Sequence, residues 1–106
     1  MKRKFSITMY VPLGIRHGTM SFVEEHNVIN GILEVFGNQD AFTGTLTETG
    51  IVELKGKMTP LLHSFSYVAR GTIANSHMDL NVVGGRYSFR ITGEEKSASV
   101  PVRGRV

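Results

Sequence analysis

The sequence predicts an all-β protein, a single-domain antiparallel meander that closes into an up-and-down barrel of about eight strands. Short segments alternate apolar and polar residues along the whole chain, with turn residues between them and no sustained helical period. Glycines recur at matching positions of these segments. A chain of 106 residues, 41% hydrophobic and 20% charged, favours one core, so we expect residues 1–106 to form one domain.

The alternation defines the strands, and the short connections define their order. In the first strand Phe5, Ile7 and Met9 alternate with polar residues. Because all connections are short, successive strands should be antiparallel neighbours. Residues 97–106 are predicted to be a tail or a ninth, edge strand at 97–103, since Pro101 excludes a central position. The predicted strands are 3–11, 18–25, 28–36, 41–47, 51–58, 63–73, 76–83 and 86–93.

The dipeptide Gly84-Gly85 predicts the register of the last hairpin. As a two-residue turn it would place Val83 opposite Arg86, and Asp79 opposite Arg90 on the outward face. The apolar residues would then share the inward face, with Val82 opposite Tyr87, Leu80 opposite Phe89 and Met78 opposite Ile91.

Three other hairpins follow from their turn residues. Gly50 suits the left-handed position of a three-residue loop, and His26-Asn27 and Asn75-Ser76 suit two-residue turns. The resulting registers place a large residue opposite each inward glycine: Leu54 opposite Gly44, Phe42 opposite Gly56, Phe22 opposite Gly31 and Leu80 opposite Gly71.

These glycines form a repeated pattern in which an apolar residue is followed two positions later by glycine on the same face. Inward glycines allow strands to coil sharply, which a small barrel needs in order to close, and a large opposite residue fills the space. The pattern therefore predicts a closed barrel rather than an open sheet. Its copies are Ile29-x-Gly31, Phe42-x-Gly44, Leu54-x-Gly56, Ala69-x-Gly71 and Ile91-x-Gly93.

This strand rhythm resembles the lipocalin-like, or calycin-type, group of small barrels over most of the chain. The Gly-x-Trp signature of that group is absent, and the chain has no Trp, so no functional residue is carried over. The space that inward glycines leave in such a barrel favours a binding module that holds a small apolar or amphipathic ligand in or at the mouth of the barrel.

The interior has two interpretations, a packed core or an apolar ligand cavity. Met20, Met58 and Met78 could adapt to a guest, and Tyr67 on the same inward face is a further candidate ligand-binding residue. Glu24 and His63 are placed near strand ends on the inward face and could fix a polar head if they shared one mouth. The predicted inward side chains are Phe5, Ile7, Met9, Met20, Phe22, Leu33, Phe42, Leu46, Val52, Leu54, Met58, Phe65, Tyr67, Leu80, Val82, Tyr87, Phe89 and Ile91.

The third strand is apolar on both faces, which indicates burial on both faces. Its outward residues, Ile32 and Phe36, could contact a second copy of the chain in a homodimer, or the C-terminal tail could cover them. A filled-core interaction protein that acts as a homo-oligomer is therefore the alternative to a ligand-binding module.

Other classes of function are not expected. The histidines lack metal-ligand spacing, and no nucleophile–base or phosphate-binding motif appears, so we expect no enzyme, no metal and no cofactor. The net charge of +3 comes largely from the two termini, and most aromatic residues are inward, so nucleic-acid binding is not expected. No apolar run could span a membrane, the basic N-terminus does not continue as a signal peptide, and we expect a cytoplasmic location.

Overall fold

A computed structural model describes residues 1–12, 14–59 and 63–96 and confirms the predicted fold class. The strands are β1 (Lys2–Val11), β2 (Gly14–Glu25), β3 (Val28–Val35), β4 (Asn38–Leu46), β5 (Ile51–Met58), β6 (Phe65–Ala74), β7 (His77–Gly84) and β8 (Tyr87–Glu95). Each strand is antiparallel to the next, and β8 pairs with β1, so the sheet is a closed barrel. The predicted ninth strand lies outside the described residues.

The barrel closes between the first and last strands, where Phe5 lies opposite Glu95 and Tyr10 opposite Arg90. Alternation along each strand sends one set of side chains inward, where they form a single apolar core. The predicted inward side chains are buried, except that Phe65 is only partly buried and Tyr87 is exposed. The core also includes Ile29, Val35, Ala69, Ile73 and Met78.

Three of the four predicted hairpin registers are confirmed. His26 and Asn27 have φ values of 53° and 68°, as a two-residue turn with both central residues left-handed requires. Gly50 has a φ of 92° in the loop between β4 and β5. The confirmed pairs include Phe22 with Gly31, Gly44 with Leu54, Phe42 with Gly56, and Gly71 with Leu80.

The predicted register of the last hairpin is wrong by two residues. Gly84 is the last residue of β7 and pairs with Tyr87, so the turn is Gly85-Arg86, with Gly85 at a φ of 57°. A Cβ on Gly84 would lie 2.5 Å from the carbonyl oxygen of Ser66, so this glycine serves strand packing and not the turn. Because the shift is an even number of residues, inward and outward faces are unchanged, but Tyr87 moves to the rim and is 48% exposed.

The prediction that Phe36 belongs to the outward face of the third strand is also wrong. β3 ends at Val35, and Phe36 and Gly37 form the turn to β4 with φ values of 59° and 75°. The sequence prediction placed the loop at 37–40, but the ladder continues through that segment, since Val35 pairs with Asn38. The side chain of Phe36 is partly buried against the core and does not share the outward face of Ile32.

The inward glycines lie where neighbouring strands approach most closely. A Cβ built on Gly44 would lie 2.0 Å from the carbonyl oxygen of Glu53, and one on Gly71 would lie 1.9 Å from that of Asp79. Any side chain at these positions would push backbone apart, so the glycines set the curvature of the sheet. The role predicted for them from the sequence is consistent with this geometry.

We expect Gly44→Ala to destabilise the fold by about 2–4 kcal/mol, because its methyl group overlaps the Glu53 carbonyl in the closed sheet. Thr45→Ala on the outward side of the same strand is the matched control and should cost no more than about 1 kcal/mol. Urea unfolding followed by circular dichroism measures both values. Equal losses for the two variants would contradict the close-approach role of Gly44.

Candidate ligand site inside the barrel

The turns divide between the two ends of the barrel. The end that we call the N-terminal end carries Met1 and the turns at 26–27, 47–50 and 75–76. The other, which we call the Phe36 end, carries the turns at 36–37 and 85–86 together with Thr59 and His63. A ligand that enters the interior along the barrel axis must pass one of these two ends.

Charged side chains cover the N-terminal end. The Arg3 guanidinium donates to both carboxylate oxygens of Glu95 at 2.9 and 2.7 Å and lies over the Phe5 ring, 5.4 Å from its centroid. Hydrogen bonding from Arg3 holds the pKa of Glu95 below its ordinary value. The N-terminal ammonium of Met1 donates to the carbonyl oxygen of Glu24 at 2.8 Å. An ion pair and a hydrogen bond from the N-terminal ammonium therefore lie at this mouth of the barrel.

The interior contains two polar atoms that have no hydrogen-bond partner among the described residues. They are the hydroxyl oxygen of Tyr67 and the carboxylate Oδ2 of Asp40, and both atoms are buried. Buried polar atoms in folded proteins are nearly always paired, because desolvation without a partner is unfavourable. The Tyr67 side chain is buried and Asp40 is half-buried with its Oδ2 enclosed, so the two atoms mark a polar position at the edge of the apolar core.

The Tyr67 side chain is 4% exposed and lies across Gly56, its cross-strand partner. A Cβ on Gly56 would lie 2.9 Å from the tyrosine hydroxyl oxygen, so the absence of a side chain there makes room for the ring. Burial, followed by the charge of Asp40, raises the pKa of Tyr67 to about 12. The hydroxyl is therefore protonated at neutral pH and able to donate one hydrogen bond.

Asp40 lies on the inward side of β4, two residues before the buried Phe42. It pairs with Leu33, which in turn pairs with Met20, so the carboxylate lies beside apolar side chains on neighbouring strands. The sequence analysis missed it because the fourth strand was predicted to begin at residue 41. Its even-numbered position, shared with Phe42, Gly44 and Leu46, is the signal that would have identified it.

The ladder between β4 and β5 ends beside this polar pair. Paired residues run from Leu46–Val52 to Phe42–Gly56, although β4 continues to Asn38 and β5 to Met58. Residues 39–41 pair with β3 but not with β5. Farther out, the Asn38 side-chain amide donates to the Thr59 carbonyl oxygen at 2.6 Å and joins the strand ends again. Residues 39–41 of β4 and 57–58 of β5 do not pair with each other, and we call this place the β4–β5 gap.

The structure brings together some of the predicted ligand-binding residues and separates others. Met20, Met58 and Tyr67 are all buried in the interior, with exposures of 1%, 1% and 4%. His63 lies at the Phe36 end and is exposed, whereas Glu24 lies at the N-terminal end. Glu24 and His63 therefore do not share one mouth, because an antiparallel meander places them at opposite ends, and the condition under which they could fix one polar head is not met.

The outward face carries ion pairs and a few exposed apolar residues. Arg70 pairs with Glu53 at 2.6 Å, and Arg90 donates to Asp79 at 2.9 Å, so both arginines face carboxylates. Ile32 is 41% exposed. Self-association through this residue stays a prediction.

An open pocket on the outward face lies near the Phe36-Gly37 turn. Within it Glu34 accepts hydrogen bonds from Gln39 at 2.8 Å and from Thr19 at 3.1 Å, and these bonds lower the pKa of the carboxyl group. The Glu34 carboxylate is thus already satisfied by protein groups. The residues that line the pocket are His17, Glu34, Val35, Phe36, Gly37, Asn38 and Gln39.

Across residues 1–12, 14–59 and 63–96, no group of three or more His, Asp or Glu side chains has the geometry to hold a metal ion. The same ranges contain no helix with the length and apolar character needed to cross a bilayer.

No protein-family description, curated protein or solved structure matches this chain. The fold itself is an eight-stranded, closed, antiparallel barrel, and this architecture is compatible with the lipocalin-like group.

We expect Tyr67→Phe to leave the free energy of unfolding unchanged or to raise it by up to about 1 kcal/mol, because the lost hydroxyl has no partner among the described residues. Tyr87→Phe, at an exposed tyrosine, is the matched control and should shift stability by less than about 0.5 kcal/mol. Both variants are measured by urea unfolding after refolding from denaturant, which removes any guest. A loss above about 1 kcal/mol for Tyr67→Phe would show that the hydroxyl is paired within the empty barrel.

The Arg3–Glu95 pair predicts a specific acid sensitivity. The folded-state pKa of Glu95 is lowered, so its stabilising effect is present above the ordinary value of 4.5 and is lost as pH falls through the folded-state pKa. Glu95→Gln should therefore be less stable than the parent by about 1 kcal/mol at neutral pH, with the difference vanishing in acid.

Chemical unfolding at a series of pH values measures this difference. Glu53→Gln, which removes the carboxylate of the more exposed Arg70–Glu53 pair, is the control and should change stability little at any pH. A pH-independent difference between the parent and Glu95→Gln would contradict the assignment.

Proposed function

We propose that the protein is a binding module that holds a small apolar or amphipathic ligand inside the barrel, in the manner of the lipocalin-like barrels that its strand rhythm resembles. The observation that carries the proposal is that two buried atoms, the Tyr67 hydroxyl oxygen and Asp40 Oδ2, have no hydrogen-bond partner within the part of the chain that the structure describes. A guest with one polar group would supply the missing hydrogen bonds. An otherwise apolar pocket with a few polar groups that fix orientation is the usual form of a small-ligand site.

The side chains around this pair suit an apolar guest. Met20 and Met58 are both buried, and their unbranched, flexible side chains can change rotamer to admit a ligand at low cost. An eight-stranded barrel is at the size where the interior is either filled by side chains or holds one small molecule. Movement of the two methionines would convert the first state into the second.

The proposed route of entry is the Phe36 end and the adjoining β4–β5 gap. The opposite mouth carries the Arg3–Glu95 pair, which entry would have to break. At the gap the strands lack ladder bonds, so separating them there costs fewer hydrogen bonds than anywhere else along β4.

A binding role is proposed in preference to catalysis because of the chemistry of the pair. With its pKa raised to about 12, Tyr67 is a weak acid at neutral pH and is poorly matched to proton transfer. The expectations of no cofactor and of a cytoplasmic location stay predictions.

Native mass spectrometry of the protein isolated from its own cells tests the proposal. We expect an additional mass of one small molecule per chain, which is lost on denaturation. The double variant Asp40→Asn with Tyr67→Phe should retain less of it, whereas Asp79→Asn with Tyr10→Phe, which alters exposed polar groups, should retain as much as the parent. Isolation of the parent at the mass of the chain alone would contradict the proposal.

The second candidate function is a filled-core protein that acts as a homo-oligomer. It is favoured by Val23, Val28 and Ile32, which are 43%, 46% and 41% exposed on the outward side of β2 and β3. The same native spectra report the oligomeric state. A dimer without a retained small molecule would support this candidate over the ligand-binding one.

A further inference from the structure

We infer that the guest of the barrel is an apolar amine, whose protonated nitrogen is held between the Asp40 carboxylate and the Tyr67 hydroxyl oxygen. The inference rests on the proposed ligand-binding function and adds to it the chemistry of the polar head. It excludes the fatty-acid-like ligands that an apolar barrel would otherwise suggest.

The sign of the charge is the first argument. Asp40 is half-buried, and its enclosed Oδ2 has no hydrogen-bond partner among the described residues; an enclosed carboxyl oxygen is best compensated by a cationic donor. The basic side chains near this end, Arg16, Lys57 and Arg86, are exposed. A cationic head supplies the missing charge, whereas an anionic head would be repelled.

Hydrogen-bonding capacity is the second argument. An alkylammonium group has three donors and no acceptor, which matches a carboxylate and a phenolic oxygen that both accept. Bonds between a charged donor and a carboxylate are about twice as strong as neutral ones. An alcohol of the same length could accept from Tyr67 and donate to Asp40, but without the charge. The expected order of affinity is therefore amine, then alcohol, then carboxylate.

Position in the barrel is the third argument. Asp40 pairs with Leu33, which pairs with Met20. The Gly56–Tyr67 pair lies two pairs from the Met58–Phe65 pair on the same face of the sheet. The polar pair is thus bordered by apolar side chains that would receive the hydrocarbon part. The inward arginine at the other end, Arg3, is already bonded to Glu95 and is not free to hold an anion.

Isothermal titration of the full chain with decylamine, decan-1-ol and decanoic acid tests the inference. We expect decylamine to bind at least tenfold more tightly than decanoic acid. Asp40→Asn should weaken decylamine about tenfold or more and leave decan-1-ol nearly unchanged, and Tyr67→Phe should weaken decylamine by a smaller factor. Asp79→Asn, at an exposed carboxylate, should leave all three affinities as in the parent.

The outcomes separate this inference from the proposed function. Equal affinities for the three ligands, or a preference for decanoic acid, would overturn the amine and leave the binding module intact. Binding of none of the three would overturn both. A preference for decylamine that persists in Asp40→Asn would assign the preference to a site other than the Asp40–Tyr67 position and overturn the inference. The comparison of the three ligands on the parent chain needs no variant, so it holds even where a variant does not fold.

Discussion

The close approach of neighbouring strands at inward glycines is the constraint on which the rest of the structure depends. At Gly44 and Gly71 a side chain would overlap a carbonyl oxygen of the next strand. Leu54 and Leu80 lie opposite these glycines and fill the space that they leave. Because the sheet can coil this sharply, β8 reaches β1 and the barrel closes, which buries the apolar faces and pairs both outer strands.

Closure also determines what the interior can tolerate. Solvent does not reach the Tyr67 hydroxyl or the Oδ2 of the half-buried Asp40, so these two atoms are energetically unfavourable in an empty barrel. The glycine at position 56, which allows the sheet to bend, also makes room for the Tyr67 ring. Curvature and the candidate site therefore depend on the same feature of the sequence. The ends differ, since Arg3 and Glu95 lie across one and the β4–β5 gap adjoins the other.

Local patterns predicted most of this fold because they act locally. Alternation identified the inward faces, and turns such as His26-Asn27 fixed registers, since two left-handed residues admit few hairpins. The register of the last hairpin was predicted wrongly because Gly84, a glycine needed for close packing, cannot be distinguished in the sequence from a turn glycine. Asp40 was missed because a carboxylate before a strand is ordinarily a turn residue. The separation of Glu24 from His63 required the strand order in space, which no single segment contains.

The central claim is that Asp40 and Tyr67 are the anchor of a guest rather than a pair that satisfies itself. A high-resolution crystal structure of the protein isolated from its own cells, without a denaturation step, tests this most directly. The account predicts continuous electron density larger than a water molecule, within hydrogen-bond distance of both the Asp40 carboxylate and the Tyr67 hydroxyl, with displaced Met20 or Met58 side chains. A direct hydrogen bond between Tyr67 and Asp40, or a single water between them in an otherwise filled core, would contradict it.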